Sequence, residues 1–255
     1  MSQTIALTAP DGTAFDAYVA RPDGEPVGGL IVIHEIWGLV DHIRDVADRF
    51  AGQGWLVVAP DILSTVGVEP HLGAELFALM NDPDEEVRTA AQPRMRDAMS
   101  GLRAPEFAGW AVGALRSAVD WLEAQPHIGS HIGVTGFCVG GTYSFALAAA
   151  DPRVRAAVPF YGTAPAPAEI AKIKAPVLAL YGSEDRALMD ALPAVRTAMA
   201  DAGVDFEAVV YPGAHHAFFN DTGSRFSPAH AAEATEAKLA GVAVAQERFG
   251  ATLRE

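Results

Sequence analysis

The chain has a single cysteine, Cys138, in 255 residues. One thiol closes no intrachain disulfide, and without a C-x-x-C pair there is neither a thiolate metal site nor a dithiol redox centre. Basic residues are scarce as well: 18 Lys and Arg against 32 Asp and Glu leave a formal charge of −14. A field of that sign repels phosphate backbones and anionic membrane surfaces, so neither is expected as a partner, whereas a small anion can still enter a locally positive pocket. No apolar stretch is long enough to cross a bilayer. The opening "MSQTIALTAPDGTAF" lacks the basic start and apolar core of a secretory leader. The expectation is a cytoplasmic protein, a monomer or a homodimer. Internal repeats, low-complexity tracts and linkers are also missing.

What is present is globular: half the residues are hydrophobic and a fifth are charged. The length suits one domain over 1–255. Short β-branched runs recur at 29–35, 55–61, 131–136, 154–162, 176–182 and 206–213. They are almost continuously apolar, which suits strands covered on both faces in a parallel sheet. Helix-like segments near 41–53, 110–124, 140–150, 187–203 and 229–249 alternate with them, so the pattern is that of a doubly wound α/β domain. "TIALTAPDGTAFDAYVARP" reads as a hairpin turning at Asp11-Gly12, antiparallel at the sheet edge. Residues 63–105 are charge-dense and proline-bearing, with scattered apolar positions. They predict helices and no sheet strand, either a cap or pocket wall or a crossover with extra surface helices.

Ligands of open α/β sheets gather beyond the carboxyl ends of the strands. The polar residues falling there are Glu35, Asp61, Cys138, Asp185 and the pair His215-His216. Cys138 lies between a strand, "HIGVTG", and a helix opening with glycines, "GGTYSFALAAA". Gly136 and Gly140 complete a G-x-nucleophile-x-G turn, and a helix N-terminus favours a thiolate. The competing reading is a buried structural cysteine. Asp185 in "LYGSEDRA" and His216 in "PGAHHAFFND" supply an acid and a base in the chain order nucleophile, acid, histidine. His216 would take the thiol proton while Asp185 holds its tautomer; Glu184 is a competing acid with a poorer spacing. Glu35, ending the strand "LIVIHE", would oppose ionisation of a neighbouring thiol. It could instead be a strand-end carboxylate paired with Arg44 or Arg88, and His34 is given no catalytic role.

These pieces resemble the dienelactone hydrolase family of α/β-hydrolases. The resemblance runs through "HEIWGL" (34–39), "APDIL" (59–63), "GFCVGG" (136–141), "FYG" (160–162), "YGSED" (181–185) and "PGAHHAFFND" (212–221). It implies the α/β-hydrolase fold, with Cys138 as nucleophile, His216 as base and Asp185 as orienting acid. It also implies that Glu35 holds the resting thiol and swings away on substrate arrival, and that the N–H groups of Ile36 and Val139 form an oxyanion hole. Family members are similar to one another in placing an arginine four residues after the catalytic histidine to grip a substrate carboxylate; here that position is Asn220. Arg88, Arg94, Arg96 or Arg225 would have to supply a cation instead. Trp37, Phe160, Tyr161 and Phe218 are candidate apolar walls of the substrate site.

The function expected is a cysteine-dependent hydrolase of small carboxylic esters or lactones working through an acyl-thioester. The alternatives are another acyl-type hydrolase, acting on thioesters or haloacids, and a catalytically idle small-molecule binder. Zinc bound through His215, His216 and Asp185 is disfavoured, because adjacent histidines on an extended loop diverge and no H-E-x-x-H helix supports them. Neither a metal nor an organic cofactor is expected.

Overall fold

The computed structural model describes residues 2–129 and 131–223. Its central strands form where the sequence is continuously apolar: β3 (Gly28–Ile33), β4 (Trp55–Pro60), β5 (Ile132–Phe137) and β7 (Val177–Gly182) are buried at every position. β6 (Val154–Phe160) exposes only Arg155. Such burial requires cover on both faces, and the alternation along each strand assigns the two. Ile31, Ile33, Leu56, Val58 and Val134 join one core cluster with Leu115 and Phe145. Leu30, Val32, Val57 and Phe137 join the other, with Ile43, Val46 and Phe50.

The sheet has eight strands in the order β1-β2-β4-β3-β5-β6-β7-β8. β1 (Ser2–Thr8) and β2 (Ala14–Ala20) form an antiparallel hairpin, β2 pairs antiparallel with β4, and every pairing from β4 to β8 (Phe206–Tyr211) is parallel. The hairpin turns where expected. Gly12 takes φ +90° and the Asp11 carboxylate accepts the Thr13 N–H at 2.9 Å.

The crossover helices are α1 (Asp41–Ala51), α4 (Pro105–Glu123), α5 (Val139–Ala150) and α7 (Arg186–Asp201). Among described residues none is long and apolar enough to cross a membrane. α4 starts earlier than the apolar pattern suggests, because Pro105 occupies its first turn, where a missing N–H costs nothing. Residues 63–105 contain α2 (Pro70–Met80), α3 (Glu85–Ala98) and two short 3₁₀ turns but no strand. The Asp84 side chain caps α3 by accepting the Glu86 N–H at 2.8 Å. A one-turn α6 (Pro167–Ile170) was not anticipated. The helix expected over 229–249 lies outside the described residues.

Candidate active site

Cys138 sits between β5 and α5 with φ 58° and ψ −115°, a backbone conformation that L-residues rarely adopt. Holding a side chain there costs about 1–3 kcal/mol, so the surroundings must impose it. They do so through close backbone packing. A Cβ on Gly136 would overlap the Gly140 carbonyl, and one on Gly140 would overlap the carbonyl oxygens of Ile33 and His34. The Cys138 N–H donates to the Phe160 carbonyl at 3.1 Å. Cys138 therefore stands partly buried at the N-terminus of α5, directly before Val139, whose N–H has no carbonyl within the helix to pair with.

Asp185 follows β7 and His216 follows β8, and the two loops are fastened together. Glu184 N–H donates to Ala214 O at 2.9 Å, and Gly213 N–H donates to Ser183 Oγ at 2.8 Å. A Cβ on Gly182 would overlap the Ala214 carbonyl. The result is a 2.5 Å contact between His216 Nδ1 and Asp185 Oδ2. With the carboxylate accepting, Nδ1 carries the proton and Nε2 keeps its lone pair. His215 and Glu184 are exposed. Asp61 is buried, but its carboxylate accepts the N–H groups of Leu63 and Ser64 and so shapes the turn after β4.

Glu35 is 3% exposed. Tyr161 Oη donates to its Oε1 at 3.1 Å and Asn220 Nδ2 to its Oε2 at 2.6 Å. The Asn220 oxygen accepts from Thr222 N–H at 3.1 Å and Thr222 Oγ1 at 2.6 Å, which fixes the amide orientation. Burial, reinforced by the charges of Glu35 and Cys138, pushes the Tyr161 phenol well above its ordinary pKa, so it stays a donor. Neighbouring His34 is fully buried. Its Nδ1 lies 2.7 Å from the Glu35 carbonyl oxygen, and Ile62 N–H donates to its Nε2 at 3.2 Å.

A cavity of about 320 Å³ gathers Glu35, Ile36, Trp37, Cys138, His216 and Asn220 on one side. Phe77, Met80, Asn81, Gln92 and Met95 of the 63–105 segment line the other. Sequence reasoning did not single out these wall residues, since nothing local marks them. The other candidates do not line the cavity, although Tyr161 stands directly behind it on Glu35 and His216. Tyr161 and Phe218 are buried against each other, with ring centroids 5.4 Å apart, and are not part of the lining; Phe160 is a core residue. Nor do the candidate arginines reach the cavity. Arg94 pairs with Glu75, Arg88 Nη1 donates to the carbonyls of Asp82 and Pro83, and Arg96 is exposed. Arg225 lies outside the described residues.

The sheet order and the strained turn after β5 place the chain among the α/β-hydrolases. The model of the dienelactone hydrolase family matches residues 15–252, and the chain belongs to that family; it is a hydrolase of carboxylic esters or lactones. A Saccharolobus solfataricus protein named "Putative carboxymethylenebutenolidase" is 32% identical, covering 89% of this chain and 92% of its own. An Escherichia coli protein of the same name is 31% identical over 82% of this chain and 75% of that one. A Klebsiella pneumoniae crystal structure described as a "Putative Dienelactone Hydrolase" superposes with a TM-score of 0.77 at 26% identity, covering 98% of each chain.

Proposed function

We propose that the protein hydrolyses small, uncharged carboxylic esters or lactones through a thioester on Cys138. The observation that carries this reading is the Asp185–His216 contact on the rim of a cavity that also holds Cys138. His216 Nε2 takes the thiol proton, and the sulfur attacks the acyl carbon. The carbonyl oxygen gains the electron pair and is held by the N–H groups of Ile36 and Val139. On collapse, the alcohol leaves with the proton from His216. A water, deprotonated by His216, attacks the thioester through a second tetrahedral intermediate, releasing the acid and returning the proton to sulfur. Asp185 keeps Nδ1 protonated and stabilises the imidazolium. Glu35 stands by the resting thiol and opposes premature ionisation.

The lining supports an uncharged substrate class. Among described residues it contains no Lys or Arg, and Asn220 offers a neutral amide that already gives one of its two hydrogens to Glu35. The opposing wall combines the Phe77 ring and the Met80 and Met95 thioethers with the neutral amides of Asn81 and Gln92. In this reading residues 1–255 form one domain, α2 and α3 serve as its substrate wall, and the enzyme works in the cytoplasm. The test compares wild type with Cys138→Ala on a panel of neutral esters, lactones and carboxylate-bearing analogues. Loss of kcat by about 10³-fold or more is expected. Equal rates in the two proteins would overturn the nucleophile assignment.

A further inference from the structure

We propose that His34 is a positioning residue that aims the Ile36 N–H at the developing oxyanion by clamping the peptide between Glu35 and Ile36. The assignment rests on the oxyanion-hole reading of Ile36 and Val139.

Three observations support it. His34 is fully buried and bonded at both nitrogens. Because Ile62 N–H donates to Nε2, Nε2 is the acceptor and Nδ1 carries the hydrogen given to the Glu35 carbonyl. Burial holds the imidazole below its ordinary pKa, against the opposing influence of Asp61 and the Glu35 carbonyl, so a single neutral tautomer persists. The Glu35 carbonyl also accepts the Gly38 N–H at 3.2 Å, so two donors fix it from different sides. A trans peptide is planar, with C=O and N–H pointing in opposite directions; fixing the Glu35 oxygen therefore fixes the Ile36 N–H.

The second donor is registered to the same backbone. Gly140 lets α5 rest directly on the carbonyls of Ile33 and His34, so Val139 at the head of α5 is held against the strand end that carries the clamp. From the other side, α2 presses on the loop: a Cβ on Gly73 would overlap the Trp37 carbonyl. The two N–H groups are thus fixed relative to each other through His34 and Gly140, without a side chain of either donor residue taking part.

Three variants separate the contacts. His34→Asn places an amide near the Nδ1 position and keeps donation to Glu35; His34→Gln places one near Nε2 and keeps only the Ile62 contact; His34→Phe removes both. Loss of one oxyanion donor lowers kcat by about 10²–10³-fold. That loss, with KM nearly unchanged, is expected in His34→Gln and His34→Phe, and His34→Asn should recover to within about tenfold of wild type. Iodoacetamide should alkylate Cys138 at the wild-type rate in all three, because alkylation develops no oxyanion. Equal losses in all three variants that track their melting temperatures, or a changed alkylation rate, would mean that His34 supports only the fold. Cys138→Ala is assayed alongside. Full turnover there removes the nucleophile reading and the positioning role with it. An inactive Cys138→Ala beside a His34→Phe that keeps its kcat overturns the positioning role alone.

Discussion

Asn220 uses one amide hydrogen on Glu35 and anchors its own oxygen on Thr222, so a buried carboxylate is held by neutral donors on both oxygens. Neither of these two donors brings a positive charge, and a carboxylate in the cavity wall disfavours a second one arriving on a substrate. Asn220→Arg should change that balance. A guanidinium pairs with Glu35 through charge-assisted bonds roughly twice as strong as neutral ones and offers donors to an incoming anion. The ratio of kcat/KM for carboxylate-bearing over neutral esters is expected to rise about tenfold, equivalent to about 1.4 kcal/mol. An unchanged ratio would remove Asn220 from the specificity argument. A complementary change, Asn220→Leu, withdraws a donor from a buried charged group and should cost about 1–3 kcal/mol in urea unfolding.

At the scale of elements, the packing of α5 on the end of β3 sets how closely the two halves of the site approach. Gly140→Ala introduces a Cβ into the carbonyls of Ile33 and His34. It should destabilise by about 1–3 kcal/mol and lower kcat, since the strain enters beside the proposed oxyanion donors, the N–H groups of Ile36 and Val139. Gly109→Ala is the contrasting case. It lies inside α4 with nothing within 4 Å of the new Cβ, and should stabilise by about 0.5–1 kcal/mol without altering turnover. The strands were legible in the sequence because two-sided burial writes itself as uninterrupted apolar residues. Cys138, Asp185 and His216 were legible as residue types at strand ends, and their meeting follows from the parallel order of β5, β7 and β8. Tyr161 as a donor to Glu35 was not, because that bond joins residues 126 apart in the chain. His34 was set aside for the same reason: its partners are a carbonyl and a remote N–H, and backbone atoms leave no trace in residue identity. The walls formed by Phe77, Met80 and Met95 depend on how α2 and α3 fold back, which scattered apolar positions do not specify. The apolar pattern places the start of α4 near residue 110, and the helix begins at Pro105, because its first turn carries few apolar residues to mark it.

For the whole molecule, acid removes the stabilising contributions of two buried groups, one histidine and one carboxylate. The His34 imidazole is depressed by burial, so the unfolded chain takes up a proton that the folded one refuses. Its contribution is complete above the ordinary histidine range, near pH ~6.5, and is lost as pH falls through it. Burial alone would raise the Asp151 carboxyl, but hydrogen bonds from Arg153 outweigh it and hold the group below the ordinary range. Its contribution is present above the ordinary carboxylate range and is lost at still lower pH. Relief of the −14 net charge works in the opposite direction, so the histidine limb is best read as the difference in melting temperature between wild type and His34→Asn. That difference should shrink on going from about pH 7 to pH 5; a constant difference would deny His34 its linkage.

The strand leading to His216 has a consequence for inactivation. β8 is the last strand of the described sheet, bonded to β7 alone, and none of its residues is fully buried, whereas β7 is buried throughout. Edges of this kind exchange amide hydrogens through small local openings rather than global unfolding. The imidazole is therefore attached to a partly exposed edge strand of the described sheet and the sulfur to a fully buried inner one. On gentle heating, turnover should disappear while the fold still melts later as a unit. Deuterium would enter residues 206–211 well before it reaches β3 or β5.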